Sequence, residues 1–423
     1  MPEHLDSLIT TLAFEEELLL CCARTQLDAP SAERISALLQ ENLDWNHLLQ
    51  LAFSHNLASL LYRNLEAVDG QSIPEPMRAE LKQQIQVDIQ GNLFLTRELL
   101  HVLAVFDQEE IPVIPYKGAV LTLSVYGDLA LRPFGDLDLF VREQDLLRAW
   151  DLLTACGYQI IRPSDLALLA EDLQLHQIQQ RVTESPWAYQ LVMGTPNGQF
   201  SIELHWRLTP KYVFPIVPEH VWQALAPVQL NEATVHSFAP EDLLWFLCVH
   251  GTKHQWERLG WLCDIGELIR TYPNLNWEQL SAHAQKFGIE RRLYLGLFLV
   301  ESLLNIPLPT AIKRKIETTP HVKYLARRVV ERVFDESGQA TDFPQLEWLT
   351  FHMRSMDRAA DSVRYLAHTV YTMITPVEPD WEMIRLPSFL SPFYYLLRPI
   401  RLAKKYGQRS LSRLLNTLRI ARP

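Results

Sequence analysis

Apolar residues recur at intervals of three, four and seven along the first hundred positions, as in Leu5, Leu8, Leu12, Leu19 and Cys22, and later Leu57, Leu60 and Leu61. That spacing keeps them on one side of a 3.6-residue helix, so Leu5 to about Ala104 is predicted as several amphipathic helices, interrupted at Pro74 and Pro76. The pattern changes at Ile111. Ile111 to Tyr116 is a short apolar run predicted as a buried strand, Lys117-Gly118 a turn, and Ala119 to Val125 a helix broken by Tyr126-Gly127-Asp128. Gln144 to Cys156 reads as a helix closed by Gly157, and from Pro240 onward the periodicity is helical again. The prediction is an α+β protein: a small mixed sheet between Ile111 and about Leu208, flanked by helical N- and C-terminal regions. The expected divisions fall at 1–104, 105–210, 211–334 and 335–423, with Asp335 to Gln339 as a polar linker and Thr375 to Pro387 punctuated by proline. No internal repeat is visible.

Two strands carry acids where the alternation leaves one face polar. In Gly135-Asp136-Leu137-Asp138-Leu139-Phe140-Val141 the leucines and Val141 point into a core, while Asp136 and Asp138 project together, roughly 6 to 7 Å apart at Cα. Adjacent carboxylates repel each other unless a cation joins them, and a hard divalent ion such as Mg²⁺ suits oxygen ligands. The second strand, Ser201-Ile202-Glu203-Leu204-His205-Trp206, follows Gly198-Gln199-Phe200. It sets Phe200, Ile202, Leu204 and Trp206 on one face and Ser201, Glu203 and His205 on the other. His205 reads as a satisfied strand histidine, and Trp206, Trp256 and Trp261 as core.

The order around the aspartates adds phosphate chemistry. A strand, the Lys117-Gly118 turn and a helix start make an anion site, to which Lys117 adds a point charge, and Arg132 precedes the acidic strand. Further on, His250-Gly251-Thr252-Lys253-His254 leads through Arg258 to Asp264, with polar groups at helical spacing. His250 and His254 have the spacing of a zinc pair. The zincin pattern, however, requires a glutamate where Gly251 stands.

Composition narrows the class only slightly. The chain of 423 residues exceeds one typical domain, and its formal net charge of −11 argues against general nucleic-acid binding. Cys21, Cys22, Cys156, Cys248 and Cys263 form no CxxC, and read as buried free thiols of a reducing, cytoplasmic compartment. Met1 to Ser7 lacks a signal-peptide pattern, and no run is long enough to span a membrane.

Taken together, Lys117-Gly118-Ala119, Tyr126-Gly127, Arg132 and Gly135-Asp136-Leu137-Asp138 resemble the core of nucleotidyltransferases of the DNA polymerase β superfamily, specifically a bacterial group of uncharacterised nucleotidyltransferases. The resemblance runs from about Trp45 to about Leu268. It implies transfer of a nucleoside monophosphate from an NTP, with ATP the expected donor, to an acceptor hydroxyl or phosphate, with release of pyrophosphate. It further implies two Mg²⁺ ions, with Mn²⁺ as the alternative, on Asp136, Asp138 and Glu203, the last standing where the group often has aspartate. Lys117, Gly118, Arg132, and Lys253 or Arg258 would meet the nucleotide, and Asp264 either contacts it or holds a helix by a salt bridge. The acceptor, whether sugar, protein or RNA, is not named by any residue. Members of the group resemble accessory proteins of polysaccharide and peptide-product pathways, so a non-catalytic nucleotide-binding or scaffolding relative is the alternative reading.

One segment stands outside this scheme. After Glu382 there is no acid, while Arg398, Arg401, Lys404, Lys405, Arg409, Arg413, Arg419 and Arg422 follow or intermix with aromatic and leucine residues. Such a tail packs as a surface helix, makes peripheral contact with an anionic membrane, or grips RNA, and all three readings stay open.

Overall fold

In the computed structural model the description covers residues 12–162, 179, 182, 188–195, 197–208, 218–334, 344–375, 384, 390, 393–398, 400 and 401. The proposed linker at Asp335 to Gln339, and the basic tail beyond Arg401, lie outside the described residues.

Four short helices open the described chain: α1 (Phe14–Cys22), α2 (Ala29–Leu38), α3 (Trp45–Ser54) and α4 (Ala58–Asp69). Asp28 and Asp44 cap α2 and α3 by accepting from the backbone N–H of Ser31 and His47. The prolines read as interruptions instead start a helix. Pro74 is the N-cap and Pro76 lies in the first turn of α5 (Glu75–Gln108), where a missing N–H costs nothing. This helix has 34 residues and buries Leu81, Asn92, Leu95, Thr96, Leu99, Val102 and Phe106 along one stripe.

The five-stranded sheet has the order β1-β2-β5-β4-β3. Its strands are β1 (Val113–Pro115), β2 (Asp136–Val141), β3 (Gln159–Arg162), β4 (Gln190–Gly194) and β5 (Ser201–His205). Among the described residues only β2 and β5 run parallel; β1 pairs antiparallel to β2, and β4 joins β5 and β3 antiparallel. Leu137, Leu139 and Val141 enter one core with Ile202 and Leu204, packed beneath α5 and α7 (Leu146–Ala155). Phe140 and Ile114 turn to the other face and join a larger helical core. The helix expected over Ala119 to Val125 is divided. An α-turn, α6 (Gly118–Leu121), passes into a π-turn (Thr122–Tyr126), which Gly127 closes at φ +74° by donating its N–H to Thr122 O.

Between 211 and 334, read from sequence as helical, lies an additional hairpin, β6 (Leu225–Leu230) and β7 (Ala233–Phe238). Its turn carries Asn231 at φ +54° rather than glycine, and Pro227 inside β6 disguises the run as non-strand. Helices follow: α8 (Pro240–Lys253), α9 (Leu259–Thr271), α10 (Trp277–Phe287), α11 (Glu290–Leu304), α12 (Thr310–Thr318) and α13 (Val322–Val333). Buried α11 packs on α8, α9 and α13, so these helices share one core with α1 to α4. Helices α14 (Pro344–Arg354) and α15 (Ala359–Ile374) follow, and beyond them 394–398 is also helical. None of the described helices is long and apolar enough to cross a membrane.

Candidate active site

The parallel register of β2 and β5 decides the site. Asp138 pairs with Glu203 and Asp136 with Ser201, so acids 65 positions apart in sequence stand on one face of neighbouring strands. Glu203 and His205 follow each other on that face, and His205 Nε2 lies 3.3 Å from Glu203 Oε2 and 3.5 Å from Asp138 Oδ1. The histidine expected merely to satisfy its strand therefore bridges the two carboxylates. Its same-face spacing from Glu203 was the available signal.

Asp138 is buried and surrounded by donors. Lys117 Nζ lies 3.0 Å from Oδ1, and the Tyr116 hydroxyl donates to the same oxygen at 3.3 Å. Tyr116 is fully buried, stacked on Phe238 with centroids 5.0 Å apart and edge-on to Phe246. Its apolar setting gave no sequence signal for this contact. Burial works to raise the Asp138 carboxyl, but Lys117 and His205 outweigh it and hold the group below the usual carboxylate range. Asp136 moves the other way. Burial and the charge of Asp138 push it up to about 6, with Lys117 opposing. Burial works to raise the Glu203 carboxyl, but the hydrogen bond and charge of His205, together with Lys117, outweigh it and hold the group low. Lys117, despite burial that disfavours its charge, is raised by Asp138, Asp136 and Glu203.

Lys117 and Gly118 bring the turn to this cluster. Gly118 adopts φ +52°, a left-handed conformation that costs an L-residue roughly 1–2 kcal/mol, and an added Cβ would touch the Phe134 ring and Asp136 O. Phe134 belongs to the loop that leads into β2. Asn92, on α5, clamps this loop: its Nδ2 donates to Leu129 O and Arg132 O, and its Oδ1 accepts from Phe134 N–H. Nothing local in the sequence of α5 marks Asn92 for that role, because its partners lie 37 to 42 positions away.

Arg132 and Asp264 form a buried pair. Arg132 Nε donates to Asp264 Oδ1 at 2.6 Å and Nη2 to Oδ2 at 3.0 Å, while the Tyr126 hydroxyl donates to Oδ1 at 2.7 Å. Asp264 thus lies behind the cavity wall, in a crevice adjoining it. The third guanidinium nitrogen, Nη1, is buried with no hydrogen-bond partner, and Arg132 lines the cavity.

The cavity itself has a volume of about 540 Å³, within the range of small-molecule sites. The carboxylate strands form one wall and α8 with the following loop forms another. Along its wall stand four cations, Lys117, Arg132, Lys253 and Arg258, and four acids, Asp136, Asp138, Glu203 and Glu257. Lys253 donates to the Tyr189 hydroxyl at 2.7 Å and lies over that ring. Arg258 is exposed and faces Trp261, which lines the cavity, whereas Trp206 and Trp256 are buried as expected. Gly251 leaves space for Trp256: a Cβ would come within 2.4 Å of its ring, so the glycine lets the loop fold under α8 and turn Lys253 and His254 toward the cavity. His250 and His254 lie with ring centroids 4.8 Å apart; burial holds both below the ordinary imidazole value, His254 at about 4. The cysteines are unpaired, with Cys22, Cys248 and Cys263 buried as expected, but Cys156 exposed.

Among the described residues, Asp138, Glu203 and His205 offer ligand atoms all within 4.8 Å of one another, a candidate cation site. Two carboxylates and an imidazole are hard-to-borderline donors suited to a divalent cation, and Asp136 stands one pleat from Asp138 on the same strand face. The residues fit such an ion.

An acid cluster on a small mixed sheet faces lysine and arginine across the cavity, and the family match places the chain in the nucleotidyltransferase class. The sequence model of the uncharacterised nucleotidyltransferase family matches residues 41–305, more than half of the chain, and the protein belongs to that family. The matched stretch continues past Leu268 through α10 and α11, consistent with the packing of α11 on α8 and α9. No curated protein and no solved structure matches the chain.

Proposed function

We propose that this protein transfers a nucleoside monophosphate from an NTP, ATP being the expected donor, to an acceptor bound in the same cavity, releasing pyrophosphate. The observation that carries this reading is the pairing of Asp138 with Glu203 across parallel β2 and β5, one pleat from Asp136 and beside the Lys117-Gly118 turn. Asp136, Asp138 and Glu203 would hold Mg²⁺, or Mn²⁺ in its place. When bound, the ions supply charge neutralisation of the triphosphate and polarisation of its reacting phosphorus. The cations and acids along the cavity balance each other, so the charge added by two divalent ions is of the size a triphosphate brings.

The chain's own groups then divide the work. Lys117 and the unpartnered Nη1 of Arg132 orient phosphate oxygens, with Lys253 and Arg258 on the facing wall. Asp264 keeps the Arg132 guanidinium from swinging away. Glu203, held ionised by His205, accepts a proton from the acceptor hydroxyl, and His205 steadies its orientation.

Purified protein incubated with Mg²⁺, each labelled NTP in turn and a cell extract should release pyrophosphate and leave label on one class of acceptor. Asp138→Asn should abolish both. NTP-dependent label transfer by Asp138→Asn at the wild-type rate would defeat the proposal.

One observation favours the second reading, a nucleotide-binding relative without chemistry: Lys117 already neutralises Asp138. That reading expects NTP binding with no Mg²⁺-dependent pyrophosphate release under any acceptor mixture.

A further inference from the structure

A second cluster of metal-type donors lies away from the acids just described. His220, in the 3₁₀ turn Pro218–Trp222, donates from Nε2 to Asp242 Oδ1 at 2.9 Å. Asp242 stands in the first turn of α8, buried, and its Oδ1 also accepts from Trp245 Nε1 at 2.9 Å. His283, on α10, brings Nδ1 to 3.9 Å from the same oxygen. The two imidazoles meet edge to face with centroids 5.0 Å apart, and Phe287 and Trp245 wall them in.

Ordinary hydrogen bonding accounts for His220 and Asp242 but not for His283. Its Nδ1 is shielded from solvent and has no hydrogen-bond partner, a situation that destabilises a buried polar group. A separation of 3.9 Å is too long for a hydrogen bond. It is, however, close to the spacing of two ligand atoms on one tetrahedral ion, about 3.3 Å for bonds near 2.0 Å. The ligand atoms of all three residues lie within 4.8 Å of one another, and each imidazole keeps 23% of its side chain exposed, which leaves a path from solvent.

We propose that His220, Asp242 and His283 bind a transition-metal cation of the Zn²⁺ type, with the fourth position open to solvent. Two imidazoles and one carboxylate form a donor set for such an ion rather than for Mg²⁺. Trp245 serves as the outer hydrogen-bond partner that orients the carboxylate. The ion ties three elements together: the turn that follows the β5 segment, the start of α8, and α10. Helix α8 presents His250 and Lys253 to the cavity roughly 12 and 16 Å further along its axis than Asp242, so the cation fixes the far end of a helix that forms the cavity wall.

The test uses the full chain carrying Asp138→Asn and Glu203→Gln, which silences the acid cluster on the sheet. After chelation, Zn²⁺ is titrated against a chromophoric chelator, and Co²⁺ is read by its visible absorption. One equivalent of Zn²⁺ should bind, displace Co²⁺ from a tetrahedral site, and raise the melting temperature. Adding His283→Gln or His220→Gln should weaken binding by more than the roughly 10–100-fold expected for losing an outer partner, which Trp245→Phe should show. Absence of Zn²⁺ binding in the silenced chain overturns the site. So does binding that is unchanged by both histidine substitutions, or a Co²⁺ spectrum that is octahedral. The silenced chain alone decides if a histidine variant does not fold.

Discussion

Lys117 Nζ lies 3.0 Å from Asp138 Oδ1, so the carboxylate most central to the cation cluster already holds a monovalent charge of its own chain. Any divalent ion entering there competes with the lysine, and a triphosphate would draw the lysine away. Under the proposed function Lys117 would exchange Asp138 for phosphate, and its removal should act with opposite signs on metal and nucleotide. Lys117→Met is expected to tighten Mg²⁺ binding to the nucleotide-free protein by about tenfold, the size of a charge-assisted hydrogen bond, and to weaken NTP binding by a similar factor. Calorimetric titration of each ligand separately checks both signs.

Glu203 stands opposite Asp138 in register, while Arg132, Lys253 and Arg258, which the proposed function assigns to the nucleotide, line the same cavity. Glu203→Gln should therefore bind NTP nearly as well as wild type yet lose transfer by roughly 10² to 10⁴-fold, the range for a positioned acid–base group. Glu203→Asp should keep or improve the rate. Single-turnover kinetics with labelled NTP separates the two effects, and a fast Glu203→Gln protein would move the proton acceptor elsewhere.

Asn92 makes three hydrogen bonds to the loop from Leu129 to Phe134 while nearly fully buried. Asn92→Ala leaves a carbonyl or N–H of that loop without a partner, at a cost of about 1–3 kcal/mol. Denaturant unfolding should register that loss. The KM for NTP should rise at the same time, because Arg132 lies within the loop; unchanged KM would mean that Arg132 is held by Asp264 alone.

His55 links the helical N-terminal region to α9: its Nδ1 accepts from Leu259 N–H at 3.4 Å and its carbonyl accepts from Gly260 N–H at 3.1 Å. Burial lowers this imidazole from 6.5 to about 4. Between those values the unfolded chain binds a proton that the folded chain refuses, so the contribution is complete above about pH 6.5 and is lost as pH falls toward 4. Lowering the pH from 7 to 5 should cost wild type about 2 kcal/mol more than His55→Gln, at roughly 1.4 kcal/mol per unit. Parallel urea titrations at both values measure it, and equal losses would show that His55 is not the group responsible.

The acidic strands were legible because a period of two leaves only one choice of face: Asp136 and Asp138 on one side of β2, Glu203 and His205 on one side of β5. The turn at Gly118 was likewise readable from residue type. What the sequence left open was pairing between distant segments. No local pattern says that β2 and β5 run side by side in parallel, that His205 bridges two carboxylates, or that Arg132 finds Asp264 across 132 positions. The hairpin of β6 and β7 escaped for the opposite reason, since local signals at Pro227 and Asn231 argued against it and tertiary packing overrode them. Pro74 and Pro76 were visible as helix boundaries, but their position at a start rather than a break depends on where the helix goes next.

Helix α5 spans roughly 50 Å and carries membership in two cores: Leu81 is packed among the N-terminal helices, while Leu95, Leu99, Val102 and Phe106 lie under the sheet. A spar of this kind cannot hinge without breaking its own backbone ladder. The helical region and the sheet should therefore melt as one cooperative unit, and a fragment beginning after the helix would lack the floor on which its strands are laid.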